Sequence, residues 1–247
     1  MGLLPLLEGE EGDAILSDAG GDRVDIALPA VQQAFIKELA LSGSSVVLVL
    51  TGGSPIALGE IADLVDAIVF AWYPGQEGGR AVADILFGWA VPSGRLPVTF
   101  YRSLDGLPGF LDYSMENRTY RYHEGEVLYP FGYGLSYTSF AYANPRATTN
   151  ADGTVSVAVD VTNSGGRDSD EVVQLYLTHP GQEGQPIRSL ARFDRIHLAS
   201  GETRTVNFTL DDRALSTVDH AGIRAVRPGR VDMWIGGGQP VSRPGLE

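Results

Sequence analysis

Two patterns of hydrophobic spacing divide the chain. In the first, "ALPAVQQAFIKELALSG" (27–43) sets Val31, Phe35, Ile36 and Leu39 on one helical face, with Pro29 near the start and Gly43 as the stop. "SSVVLVLTGG" (44–53) is a continuous apolar run closed by glycines, the pattern of a strand buried on both faces. "SPIALGEIADLV" (54–65) predicts a short helix with Ser54 as N-cap and Pro55 in the first turn. "DAIVFAWY" (66–73) predicts a second buried strand, and "EGGRAVADILFG" (77–88) a helix closed by Gly88. Strands alternating with helices predict a parallel sheet covered by helices.

From about residue 100 to 142 no period is sustained. "DYSMENRTYRYHEGEVLYPFGYGLSYTSFAY" is rich in Tyr, Gly and Arg, which suits an extended segment laid over other surfaces. Beyond it the period becomes two. "GTVSVAVDVTNSG", "DEVVQLYLTHP", "LARFDRIHLASGE", "TRTVNFTLD" and "GRVDMWIGG" are short alternating runs separated by turn residues, and they predict an antiparallel β-sandwich. The change falls near Asn144 to Asp152, giving a first domain of residues 1–142 with the Tyr-rich segment and a second of 143–247.

Charge narrows the partners. A formal net charge of -13 repels nucleic acid and anionic membrane surfaces and leaves neutral ligands such as sugars open. With no cysteine there is neither a disulfide framework nor a thiolate metal site. His123, His179, His197 and His220 lack metal-ligand spacing, so no metal or other cofactor is expected. No apolar run reaches the roughly 18 residues of a membrane span. The start "MGLLPLL" is too short and uncharged for a signal peptide, which makes a cytoplasmic location the default expectation.

Several segments occur together in a telling order: "GDRVDIALP", "VVLVLTGGSPIAL", "DAIVFAWYPGQEGGRAVADILFG", "PSGRLPVTF", "DYSMENRTYRY", "LYPFGYGLSYTSF", "DEVVQLYL" and "LARFDRIHLASGE". This ordered set resembles glycoside hydrolase family 3, which includes β-glucosidases and β-xylosidases. The resemblance covers about Gly9 to Gly237. It implies a three-layer α/β sandwich with a mostly parallel, shortened sheet, followed by an all-β, fibronectin type III-like sandwich. In the family a barrel precedes these domains and carries the nucleophilic aspartate in a Ser-Asp-Trp-like motif. These 247 residues contain no Ser-Asp-Trp. They also run from "GLLPL" almost directly into "EGEEGD", where the family has many more residues, which suggests a deletion, an edited design or an unusual gene.

Retaining glycosidases use one carboxylate as nucleophile and a second, protonated one to assist the leaving oxygen, about 5 Å apart. The resemblance puts the proton donor on a Gly-Glu loop upstream of an Asp-Arg pair. "EGEEGDAILSDAGGDR" has that form, and Gly9-Glu10 matches best. Glu10 is therefore the candidate acid/base, with Glu8 and Glu11 as alternative registers; the bland alternative is a solvated acidic loop. Crowded carboxylates, with Asp13 among them, would raise one another's pKa as a general acid requires. Arg23 is a candidate sugar contact or the salt-linked partner of Asp22.

Trp72 and Tyr73 end a predicted strand, where open α/β sheets place ligand contacts, and aromatic faces stack on pyranose rings. Alternatively they fill a domain interface, while Glu77 caps the next helix and Gly78 and Gly79 permit close packing. Arg118, Arg121 and the neighbouring tyrosines either line a sugar cleft or seal domains together. At Trp89 to Val91 "WAV" replaces the family's polar residues, leaving an exposed Trp89 or a new packing contact. Asn117, where the family often has glycine, can accept a left-handed backbone.

Two functions follow from the resemblance. The chain is either the C-terminal part of a β-glucosidase-like enzyme, acting on β-linked glucoside or xyloside oligosaccharides with a barrel on another chain, or a noncatalytic module that stabilises, forms homo-oligomers or binds glycans.

Overall fold

The computed structural model describes residues 25–109 and 111–240. Glu10 and Arg23, with Glu8, Glu11, Asp13, Asp18 and Asp22, lie outside the described residues. In chain order the elements are α1 (Ala30–Leu41), β1 (Val47–Leu50), α2 (Ile61–Leu64), β2 (Ala67–Phe70), α3 (Gly78–Leu86), β3 (Phe100–Tyr101), α4 (Thr119–Tyr122), β4 (Val127–Tyr129), β5 (Phe140–Thr149), β6 (Val155–Asn163), β7 (Ser169–Thr178), β8 (Ser189–Leu198), β9 (Thr203–Leu210), α5 (Asp212–Leu215), β10 (Thr217–Val218), β11 (Arg224–Ala225) and β12 (Asp232–Gly236). They form two compact units: the described residues up to Trp72 with Tyr101–Gly106, and Tyr73–Phe100 with the described residues from Leu107 onward.

In the first unit, α1 begins after Pro29, whose carbonyl accepts from the Gln32 and Gln33 amides. It ends where the Ser42 hydroxyl caps the Leu39 carbonyl and Gly43 turns to φ +80, as the glycine stop predicts. Of its apolar face only Ile36 is buried, while Val31 and Phe35 are 68% and 59% exposed. β1 and β2 pair in parallel, Val47 opposite Ala67 through Leu50 opposite Phe70. The expectation that β1 is buried on both faces is corrected. Leu48 is half-buried and Leu50 buried, whereas Val47 and Val49 are exposed, because alternate residues of a strand face opposite sides.

The helix expected from Ser54 is also corrected. Ile56, Ala57 and Leu58 are buried in extended chain, where the Ala57 amide donates to the Ile26 carbonyl at 2.8 Å. Ala57 thus bridges Ala27 in parallel, and helical geometry starts only at Ile61, after Gly59 has turned to φ +54. The apolar spacing that suggested a helix here serves a short buried crossing of the chain. Lys37 on α1 pairs with Glu60, just ahead of α2.

The second unit carries two three-stranded antiparallel sheets, β5-β6-β9 and β12-β7-β8. Both sheets feed one hydrophobic core, to which β6 gives Val157, Val159 and Val161, β7 Val173, Leu175 and Leu177, β8 Ile196 and Leu198, and β9 Val206, Phe208 and Leu210. Leu175, Leu198 and Leu210 are fully buried, each stabilising the fold by roughly 1.5–3 kcal/mol. All five alternating runs form strands near the predicted places. β5 is an addition: it crosses residues 142 and 143 and pairs with β6 through a register shift between Ala143 and Arg146. Pro145 lies in that shift and Asn144 has φ +51, so the segment reads as loop, yet a sheet edge tolerates a residue that cannot donate.

The Tyr-rich segment binds this unit together. Tyr120 stacks on Phe131 with ring centres 4.1 Å apart, and both meet Tyr176 edge-on. The end of α3 is held by Tyr137, whose hydroxyl donates to the Ile85 carbonyl at 2.9 Å, and by Arg167, which donates to the Gly88 carbonyl. A cation and a hydroxyl thus satisfy carbonyls that the helix leaves open. Asn117 has φ +52, the left-handed conformation anticipated for it.

Candidate functional site

The carboxyl ends of β1 and β2 lie side by side. The Ala71 amide donates to the Leu50 carbonyl at 2.8 Å and the Gly52 amide to the Trp72 carbonyl at 3.2 Å, which extends the parallel pairing into "TGG". Trp72 has φ +54, a backbone that costs an L-residue roughly 1–2 kcal/mol. Its indole is half-buried and edge-on to Phe70, with centroids 4.5 Å apart. Open α/β sheets gather ligand contacts outside the carboxyl ends of their strands, and Trp72 lies two residues beyond the end of β2. Tyr73, 67% exposed, is the first residue of the second unit.

The start of α3 corrects two details. Glu77 stands at the N-cap position but makes no side-chain cap. Gly78 is required, because a Cβ there would come within 2.5 Å of the Pro74 ring; Gly79 faces open space. The close-packing role therefore belongs to Gly78 alone. Trp89 is 75% exposed and tilts against Phe87 with centroids 5.6 Å apart.

The two arginines of "NRTYRY" part company. Arg118 donates through Nη2 to the carbonyls of Gly109 at 2.9 Å and Asp112 at 2.8 Å, and so it pins a loop. Arg121 is exposed and lines a cleft of about 390 Å³ beside β7, β8 and α5. Arg192, Arg213, Arg224 and His179 line the same cleft. Arg192 donates to Asp211 at 3.1 Å, and the Asp211 carboxyl is held below its usual pKa first by the Ala214 amide and then by Arg192. Burial lowers the pKa of His179, which favours its neutral form. Sequence reading missed this cleft because its charged residues are scattered from position 121 to 224 with no motif spacing. Among the described residues no group of three or more His, Asp or Glu is arranged for a metal, and no helix is long and apolar enough to cross a membrane.

Comparison with known proteins places these features. Residues 2–137 match the model of the glycosyl hydrolase family 3 C-terminal domain, and residues 171–239 match that of the fibronectin type III-like domain. The chain is 43% identical over 238 residues to a xylan 1,4-β-xylosidase of Xylanibacter ruminicola, covering 95% of this chain and 28% of that protein. It is 36% identical to a periplasmic β-glucosidase of Salmonella typhimurium, covering 90% of this chain and 31% of that protein. Among solved structures it is similar to a β-glucosidase of Erythrobacter marinus, with TM-score 0.78, 36% identity and coverage of 91% and 30%. It is also similar to a β-D-glucoside glucohydrolase of Trichoderma reesei, with TM-score 0.81, 28% identity and coverage of 89% and 35%. The chain thus spans less than a third of the two curated relatives.

Proposed function

Because the chain belongs to glycoside hydrolase family 3, we propose that it is the C-terminal part of a retaining β-glycosidase that hydrolyses β-linked glucosides or xylosides. The observation that carries this reading is the ordered match of both domain models along the chain. On this reading the first region is a three-layer α/β sandwich and the two antiparallel sheets are a fibronectin type III-like sandwich. The relatives' names supply the two sugar classes, one a β-xylosidase and the other a β-glucosidase.

Glu10 acts as acid/base in this proposal. An aspartate from a barrel domain outside these 247 residues attacks the anomeric carbon, and the carbon-oxygen bond breaks as Glu10 gives its proton to the leaving oxygen. Water then enters, loses a proton to Glu10 and releases the aspartate. Trp72 offers its indole face to a pyranose ring, and its constrained backbone at the end of β2 supports that role. Tyr73 and Arg23 are proposed as accompanying sugar contacts.

A second reading is a noncatalytic module that stabilises, forms homo-oligomers or binds glycans. Aryl β-glucosides and β-xylosides separate the two. The purified chain is expected to give little or no turnover, and the chain joined to a family 3 barrel to give turnover that falls on Glu10→Gln. The fall should be greatest for poor leaving groups, which need protonation most. Turnover that Glu10→Gln leaves unchanged removes Glu10 from the mechanism. A barrel fusion that folds but gives no turnover favours the noncatalytic reading.

A further inference from the structure

The cleft beside β8 and α5 is chemically at odds with the rest of the protein. The chain carries a net charge of -13, yet four arginines, Arg121, Arg192, Arg213 and Arg224, are among the residues that line this cleft, against one acidic residue, Asp211. Arg192 already pairs with Asp211. Among the described residues Arg121, Arg213 and Arg224 enter no ion pair, so the cleft has cationic capacity left to offer. A local excess of positive charge on an acidic protein attracts anions to that part of its surface.

Its walls are fixed. Arg224 donates to the Ser216 hydroxyl at 3.0 Å, and that hydroxyl donates to the Arg213 carbonyl at 2.8 Å. The Gln185 side-chain amide donates to the Val218 carbonyl at 2.6 Å, and the Ile187 backbone amide donates to the Arg121 carbonyl at 2.8 Å. The Arg121 guanidinium stands 5.7 Å over the ring of Tyr122, a half-buried aromatic that also lines the space.

The volume of about 390 Å³ lies in the range of roughly 300–1,000 Å³ typical of organic ligand pockets, and it exceeds what a lone inorganic ion fills. The lining joins an aromatic ring, amide and hydroxyl groups and guanidinium forks. A planar carboxylate matches a guanidinium fork bidentately, and a ring bearing hydroxyls matches the remaining donors and acceptors. We propose that this cleft binds a carboxylate-bearing saccharide, a uronic acid residue of an acidic oligosaccharide. The site uses none of the residues assigned to catalysis and stands or falls without them.

Calorimetric titration of the full chain tests it, using a xylo-oligosaccharide bearing glucuronic acid, the neutral oligosaccharide of equal length, and sodium sulfate. The acidic oligosaccharide is expected to bind at least about tenfold more tightly than the neutral one. Arg213→Gln and Arg224→Gln should each weaken it by roughly fivefold to tenfold, and Arg213→Gln should leave the unfolding midpoint in place, since its side chain is exposed and only its backbone carbonyl holds the wall. Should either variant unfold early, Arg121→Gln reads the same loss. Equal affinity for the acidic and neutral sugars, no measurable binding of the acidic one, or affinity that survives these substitutions overturns the proposal. So does sulfate binding as tightly as the acidic oligosaccharide, because the cleft would then recognise charge without the sugar.

Discussion

Arg95 donates through Nη2 to Oε2 of Glu171 at 2.6 Å, with the Glu171 side chain only 1% exposed. This contact joins "PSGRLP" to "DEVVQLYL", segments 76 residues apart. Around it the Tyr142 hydroxyl donates to the other Glu171 oxygen at 3.0 Å, and Arg95 Nε and Gln174 Nε2 both donate to the Gly237 carbonyl at 3.0 Å. Gln174 also donates to the Gly132 carbonyl at 3.1 Å and accepts from Tyr176 at 2.5 Å. Motifs that carry the family resemblance therefore meet in a buried structural network.

Removing Arg95 strands a buried carboxylate. Arg95→Met is expected to destabilise the chain by about 3–5 kcal/mol in urea unfolding, and Arg95→Met with Glu171→Leu to recover part of that loss. Burial raises the Glu171 pKa against the opposing pull of Arg95 and Tyr142, and without Arg95 it rises further. A raised folded-state pKa favours folding below the unfolded value and loses that advantage as pH rises through the folded one. The Arg95→Met deficit should therefore shrink as pH falls from 7 towards 4. A deficit that is the same at both pH values contradicts this account.

Asp160 works in the opposite sense. It accepts from Thr205 at 2.6 Å on β9 and from Asn144 at 3.0 Å on β5, bonds that lower its pKa, with Arg146 adding a smaller pull. A depressed folded-state pKa gives stability above the unfolded value, near 3.9 for aspartate, and loses it as pH falls through the folded one. Urea midpoints should drop between about pH 4 and pH 2.5, and Asp160→Asn should flatten that drop. An unchanged slope in the variant would remove Asp160 from the acid response.

At Trp72 the positive φ makes glycine the less damaging replacement. Both Trp72→Gly and Trp72→Ala lose the contact with Phe70, but glycine relieves the backbone. Trp72→Gly should be more stable than Trp72→Ala by about 1 kcal/mol in chemical denaturation. The reverse order would mean that the residue is not strained in solution.

Val31, Phe35 and Leu39 form an exposed stripe on α1, and Val47 and Val49 are exposed on β1. Apolar surface of this kind promotes association once it forms a patch beyond a few hundred Å². The purified chain should bind a hydrophobic dye and self-associate in sedimentation velocity, both less so in Phe35→Ser. A monodisperse monomer that leaves the dye dark would count against this.

Local chemistry made much of the chain legible. The period-two runs are β6, β7, β8, β9 and β12, and Gly43, Gly88 and Asn117 take the left-handed backbone that their types allow. Such features depend on a residue and its near neighbours, so a linear reading reaches them. Tertiary structure decided the rest. Whether Val47 faces core or solvent depends on what covers the sheet, and Pro145 hides an edge strand whose partner β6 supplies the pairing. Arg95 gains its meaning from Glu171, and the cationic cleft exists only once residues from 121 to 224 are folded side by side. The sequence by itself determined which segments alternate and where glycines turn the chain; only the folded chain decided which caps form and which charges meet, because Coulombic and hydrogen-bond energies depend on distance in space and burial, not on separation along the chain.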